Sequence, residues 1–305
     1  MSNESSEDGL TQAELVDGLR ALGLGAGDVV FVQSAMRTFG PIAGGAETVV
    51  AALMDVLGDR GTLVVPTFTF KHEAEDDPII DPANDRSEMG AITEAVRTRP
   101  DARRSTAYRH SFAAVGRRAD VITDVNPSLP VFDLRSVFGV MLALNTKVLL
   151  LGLDYHSSTS HHFAEWLCDV PYRHTLDMTM KVRGADGTIV EQPMLDYQPR
   201  SDDGPQHSDF NRLGQMMEDG GMVAVGALGN CVARCYSQRE MVELAQQEAK
   251  KDYDIFRNPE GQGDWVMTTK PGTTVVSPDM LDGAGRDENY HWCVVDPARL
   301  ELPNV

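Results

Sequence analysis

With 305 residues, 42% of them hydrophobic and 24% charged, the chain is long enough to bury a full core in one soluble body or two closely joined ones. A formal net charge of −19 argues strongly against nucleic acid or anionic membrane as partners, because either would be repelled. The same charge suits a small cationic ligand, and a surface adapted to solubility or salt would carry it equally well.

No apolar run approaches the roughly 18 residues of a membrane span, and the start MSNESSEDG lacks the basic and apolar regions of a signal peptide. A cytoplasmic protein is therefore expected, with residues 1–9 as a disordered tail and residues 10–305 as one domain. Thr11 and Glu14 form a capping-box pattern, Leu10 and Leu15 sit at staple positions, and Leu15, Val16, Leu19 and Leu22 make one stripe, which predicts a first helix. Strand DVVFVQS (28–34), a helix over 47–57 and strand TLVVP (62–66) follow in an α/β order. The polar stretch KHEAEDDPIIDPANDRSE (71–88) reads as a functional loop or a mobile excursion. Its carboxylates could receive an amine or simply face solvent.

A helix over 90–98 stops before Pro100, SFAAV (111–115) reads as a strand, SVFGVMLAL (136–144) as a buried helix and KVLLLGL (147–153) as an interior strand. In TLDMTMKV, Leu176, Met178, Met180 and Val182 share one face. The Asp186-Gly187 turn returns the chain as IVEQPML, an antiparallel hairpin. A helix near 208–219, strand GMVAVGAL and a helix opened by Ser237 and Glu240 complete the pattern. There is no internal repeat and no Gly- or Pro-rich linker to divide the chain.

Chemistry concentrates in TSHHFAE (159–165). In a helix starting near Ser160, His162 and Glu165 lie on one face at i and i+3, whereas His161 points elsewhere and reads as a packing or capping residue. A carboxylate on one imidazole nitrogen fixes the tautomer and leaves the other nitrogen as a base. The helix N-terminus opposes protonation of His162 and the carboxylate favours it, so the residues alone leave that balance open. An amine must lose a proton as it attacks a carbonyl, and a base at that nitrogen contributes roughly 10²–10⁴-fold. Packing alone is the other reading of His162. Among Ser157, Ser158, Thr159 and Ser160 one hydroxyl is expected to cap the helix, and Thr159 could instead hold a developing oxyanion.

Rival chemistries lack their signatures. There is no GxSxG, no GxxxxGK[ST] and no HExxH, and GLGAG (23–27) precedes a strand instead of following one. Cys168 lies on another helix face from His162. The four cysteines show no CxxC spacing, so reduced thiols and no metal are expected, a zinc site from Cys231, Cys235 and a distant histidine being the weaker reading.

Four stretches now carry a resemblance. They are VFVQSAMRTFGPIAGGAETVVAAL with GTLVVPTFTF; SEMGAITEAVR with RRS and HSFAAVG; LLLGLDYHSSTSHHFAE with DVP; and VGALGNC with QREMVEL. In this order the chain resembles the aminoglycoside 3-N-acetyltransferase family over residues 10–250; the last fifty residues match nothing informative. The resemblance implies a single compact α/β domain, a mixed sheet flanked by helices plus an antiparallel hairpin region. It implies acetyl-coenzyme A as donor and a primary amine of a cationic aminosugar antibiotic as acceptor. The family's T-x-x-H-x-x-E pattern falls on Thr159, His162 and Glu165, making His162 the general base and Glu165 its orienting partner. The coenzyme-contacting motifs fall on Gln33, Ser34, Ala35, Met36 and Arg37, and on Ser105, Ser111 and Phe112. A homodimer is compatible with the resemblance, and neither metal nor membrane is implied.

Three departures stand out. Gln33-Ser34-Ala35 replaces His-Ser-Ser, Ala107-Tyr108 replaces the His-Pro of RSxHP, and His156 stands where an Asp usually precedes the helix. The leading expectation is direct N-acyl transfer in a ternary complex. A tailoring acyltransferase using another thioester and a biosynthetic amine is the alternative, and a non-catalytic cation-binding protein is the third reading.

Overall fold

A computed structural model describes residues 9–200 and 208–257 and the backbone of residues 273–276 and 292–295. Apart from Gly9, the tail expected over 1–9 lies outside the described residues, as does most of the C-terminal fifty. The elements are α1 (Gln12–Ala21), β1 (Val29–Ser34), α2 (Ala46–Leu57), β2 (Thr62–Pro66), β3 (Ile79–Ile80), α3 (Ala91–Arg97), β4 (Arg103–Arg104), β5 (Phe112–Gly116), α4 (Ala119–Thr123) and α5 (Val137–Ala143). They continue with β6 (Lys147–Leu151), α6 (Thr159–Leu167), β7 (Arg173–Arg183), β8 (Ile189–Pro199), α7 (Asn211–Asp219), β9 (Val223–Leu228), β10 (Cys231–Ser237), α8 (Gln238–Ala249), β11 (Thr273–Val276) and β12 (Trp292–Val295).

The main sheet runs β11-β12-β10-β6-β1-β2-β5-β4, with β9 also on β10. It is mixed: β6, β1 and β2 are parallel, while β5 and β10 run antiparallel to their neighbours. The central strands are apolar throughout because both faces are covered. Phe31, Val64, Phe112, Val148 and Leu150 enter one core with α5, α6, α7 and α8. Val30, Val32, Leu63, Val65, Leu149 and Leu151 enter the other with α1, α2 and α3.

At α1 the predicted capping box is present in full, Thr11 Oγ1 accepting from Glu14 N–H and Glu14 accepting from Thr11 N–H. β7 and β8 form the predicted hairpin, with β3 on its edge. Its shared face is graded: Met180 and Val182 are buried, whereas Leu176 is 38% exposed. The 71–88 excursion is anchored to the sheet. Arg104 donates to the carbonyls of Pro82, Asp85 and Thr67 and to the hydroxyls of Thr69 and Ser111. Burial of this guanidinium pulls its pKa down to about 10. His72, buried, bridges Glu75 and Asp85 at 2.9 Å each.

Besides the short strands β3, β4, β11 and β12, one long strand has no counterpart in the sequence reading. β10, CVARCYS, pairs with β6 and β9 and carries Arg234 buried in its centre. Cys231 and Cys235 sit on its apolar face among leucines, and among the described residues no His, Cys, Asp or Glu cluster is placed to hold a metal. No helix among the described residues is long and apolar enough to cross a membrane.

Candidate active site

The site is built where β1 and β6 end and α6 begins. Gly152, at φ 69°, turns the chain off β6 against Thr38, where a Cβ would run into the Thr38 side chain. Only glycine fits that approach. Asp154 then caps a short 3-10 turn, Tyr155–Ser157, by accepting from His156 N–H. α6 follows, and Asp169 in the left-handed region at φ 49° lies just beyond its end, two residues before Pro171.

The expected hydroxyl cap is absent from α6. Ser158 stands at the cap position, but its hydroxyl bonds Tyr236 Oη at 2.9 Å. The cap comes instead from Gln33 at the end of β1: its Oε1 accepts from Thr159 N–H at 3.1 Å. Its Nε2 donates to the Ser157 carbonyl at 2.8 Å and to Thr159 Oγ1 at 3.1 Å. Thr159 Oγ1 thus accepts from Gln33 and keeps its own proton for donation.

His162 and Glu165 meet one turn further on, Nδ1 to Oε2 at 2.5 Å. Glu165 is fully buried, whereas the His162 side chain stays 27% exposed, so Nε2 is the edge left for a reactant. Three groups fix the carboxylate: His162, Tyr172 Oη donating to Oε1 at 3.1 Å, and Arg173 Nε at 3.0 Å from Oε2. Arg173 is itself held by Ser208 Oγ at 2.7 Å and by the Tyr197 ring, 5.3 Å away.

Burial and the Arg173 charge pull the His162 pKa below its usual value against the opposing pull of Glu165. The ring is consequently neutral at neutral pH, with Nδ1–H donating to the carboxylate and Nε2 carrying the lone pair. The phenol of Tyr172 is pushed far up by burial and by Glu165, so it stays a donor.

His161 behaves as packing. It is fully buried against Tyr155, Phe210 and Tyr236, neither ring nitrogen has a hydrogen bond among the described residues, and burial lowers its pKa to about 3. Cys168 is no thiolate, since burial and Glu165 push its thiol up to about 11.

The two sets of residues matched to coenzyme contacts part company. Ser34, Ala35 and Met36 are half-buried and Arg37 is exposed at the carboxyl end of β1, beside Gln33 and the start of α6. That is where parallel strands leave a ligand crevice. Ser105 and Ser111 are buried and bonded internally, Ser105 Oγ to Phe112 N–H and Ser111 Oγ to the Thr67 carbonyl. Phe112 lies in the core against Phe31, Phe68 and Phe138.

A pocket is lined in part by Ala107, Tyr108, Arg109, His110, Leu129 and Asp196. Sequence reasoning passed over His110, Arg173 and Tyr172. His110 shares Phe132 with His162, the ring centroids standing 5.9 and 6.0 Å from Phe132. Burial first, and then the neighbouring His162, Arg109 and Arg173 charges, lower the His110 pKa to about 3.

The sequence profile described as aminoglycoside 3-N-acetyltransferase matches residues 31–250. The chain belongs to the aminoglycoside 3-N-acetyltransferase family. It is therefore an acyltransferase. Aminoglycoside N(3)-acetyltransferase VII of Streptomyces paromomycinus is 30% identical to it over 285 residues, covering 84% of this chain and 97% of the relative. The crystal structure of aminoglycoside acetyltransferase AAC(3)-Xa superposes with a TM-score of 0.70 at 27% identity, covering 79% of this chain and 93% of that one. Another structure, a mutant of AAC(3)-IVa in complex with a gentamicin, superposes with a TM-score of 0.66 at 26% identity, covering 83% of this chain and 93% of that one.

Proposed function

We propose that this member of the family transfers the acetyl group of acetyl-coenzyme A directly to a primary amine of an aminoglycoside, with His162 as general base. The observation that carries the proposal is the 2.5 Å contact between His162 Nδ1 and the buried Glu165, which leaves the opposite, accessible ring edge for the amine. In the step, the amine nitrogen bonds to the thioester carbonyl carbon and gives its proton to His162 Nε2. The C–S bond then breaks and the departing thiolate takes that proton. Thr159 Oγ1, held as an acceptor by Gln33, has its own hydrogen for the developing oxyanion. Glu165 stabilises the imidazolium that forms, and Arg173 holds the carboxylate in place.

The half-buried turn of Ser34, Ala35 and Met36 with exposed Arg37 suits the donor, offering backbone and hydroxyl groups and one charge to a phosphate. Ser105, Ser111 and Phe112 support the same end of the sheet from within. A second reading, another acyl thioester or a biosynthetic amine, is favoured by the pocket that Ala107 and Tyr108 line. Thiol release measured with acetyl-coenzyme A and other thioesters against aminoglycosides and simpler amines separates the two, and His162→Ala tests the base.

A further inference from the structure

Glu165 is held by Tyr172 and Arg173, and one further segment of the chain backs both of them. The 3-10 turn Tyr253–Phe256 and the residue after it, Arg257, lie beyond residue 250, where the match to the family profile stops. Asp252 caps this turn by accepting from Asp254 N–H at 2.9 Å, and Ile255 and Phe256 are buried in the core that α6 shares. Arg257 stands over the Tyr172 ring, its guanidinium carbon 4.1 Å from the ring centroid, and its Nε donates to Asp254 Oδ1 at 2.6 Å. A cation is attracted to the negative face of an aromatic ring, so this contact fixes the plane of Tyr172. The Tyr172 hydroxyl donates to Glu165 Oε1 at 3.1 Å and lies 3.4 Å from the Tyr253 carbonyl. The carboxylate is the closer and the stronger acceptor of the two. Arg257 also forms a backbone bridge with Ser208, whose hydroxyl accepts from Arg173 Nη2 at 2.7 Å. Phe256 packs on Phe210 with ring centroids 6.4 Å apart, and Phe210 meets the His162 ring at 4.8 Å.

These contacts give the carboxylate one orientation. Tyr172 engages Oε1, so Oε2 is the oxygen presented to His162 Nδ1. A carboxylate released from Tyr172 can turn both oxygens to Arg173, in the bidentate geometry common for a guanidinium. His162 Nδ1 then loses its acceptor, and the ring is free to take the Nε2–H tautomer, which has no lone pair on the accessible edge. Resting on the acyl-transfer reading, we propose that Arg257 is a positioning residue, acting through Tyr172 to keep Glu165 on His162 Nδ1 and the base in its reactive tautomer.

The test is nitrogen NMR of histidine-labelled protein, the His162 signal being identified by its absence from His162→Ala, with thiol-release kinetics on the same samples. Parent His162 is expected as the Nδ1–H tautomer at neutral pH. Tyr172→Phe keeps the ring and removes the hydroxyl, and it should show the Nε2–H form, as should Arg257→Met and Arg257→Gln. In each, kcat should fall about tenfold, within the range of one cation–ring contact, with KM for both substrates unchanged. Arg257→Met in the Tyr172→Phe background should cost nothing more, because the hydroxyl it acts through is already gone. Arg257→Gln retains a donor for Asp254, and circular dichroism and urea unfolding confirm the fold of each variant. A purely structural role would lower the urea midpoint and leave the tautomer alone. The parental tautomer in a folded Arg257→Met or Arg257→Gln, or equal losses of kcat in both backgrounds, would overturn the assignment. The tautomer is read without substrate, so the two levels separate. No thiol release from the parent with any amine removes the acyl-transfer reading, while the tautomer still decides what Arg257 positions. Parental kcat and the parental tautomer in the Arg257 variants remove only the role given to Arg257.

Discussion

Replacing Gln33 by alanine perturbs the polar clamp that ties the end of β1 to the start of α6. Three hydrogen bonds are lost, to the Ser157 carbonyl, the Thr159 hydroxyl and the Thr159 N–H, at a residue only 6% exposed. Each such bond contributes about 1 kcal/mol net, and a buried donor or acceptor left behind costs about 1–3 kcal/mol unless water enters. The expected destabilisation is therefore about 2–4 kcal/mol, read by urea unfolding. Activity should fall through kcat, because Thr159 Oγ1 loses the partner that orients it. The His162–Glu165 contact lies within one helix turn and survives, so the pH profile should keep its shape. Gln33→Glu retains the acceptor for Thr159 N–H but loses both donations, and should be nearly as damaging. A direct coenzyme contact by Gln33 would instead raise KM for acetyl-coenzyme A with stability intact. Gln33→Ala within about 0.5 kcal/mol of the parent, the range of an ordinary surface substitution, and with full kcat would refute the clamp.

The acid limb of kcat/KM is expected below the roughly 6.5 of an ordinary histidine, because His162 must be neutral to act and burial and Arg173 lower its pKa. Arg173→Met removes one of those lowering influences, so the limb should move to higher pH in pH–rate measurements; movement to lower pH contradicts the electrostatics described. His161→Phe should keep activity, since both ring nitrogens lack partners among the described residues. It should also flatten the loss of stability in acid. His161 titrates at about 3 when folded and near 6.5 when unfolded, so the unfolded chain takes up its proton first and stability falls as pH drops from about 6.5 toward 3. Chemical unfolding at pH 5 and pH 7 checks this, and an inactive His161→Phe that retains its fold would return His161 to the catalytic candidates.

What could be read from the sequence is what is local. The Thr11 capping box, the TLVVP strand and the i, i+3 pairing of His162 with Glu165 each depend on a few adjacent residues and a known period. β10 is hard to see in the sequence because Arg234 interrupts its apolar run, an arginine held in place by partners that include Glu218 on α7 and the Leu153 carbonyl. The alternation of Cys231, Ala233 and Cys235 was the available signal. Local chemistry points to a serine or threonine as the cap of α6, whereas the cap comes from Gln33, 126 residues away from Thr159. Arg173 and Tyr172 escaped for the same reason: the turn after α6 brings them back onto Glu165, and no spacing rule announces that return.

The account stands most directly on His162. Acetyl-coenzyme A-dependent thiol release should be measured for the parent and for His162→Ala with an amine the parent accepts, each across pH 5 to 9. The expected result is a loss of roughly 10²–10⁴-fold in kcat together with disappearance of the acid limb, while binding of the amine is retained. A His162→Ala protein that keeps near-parental kcat and the same acid limb would contradict the assignment of the base.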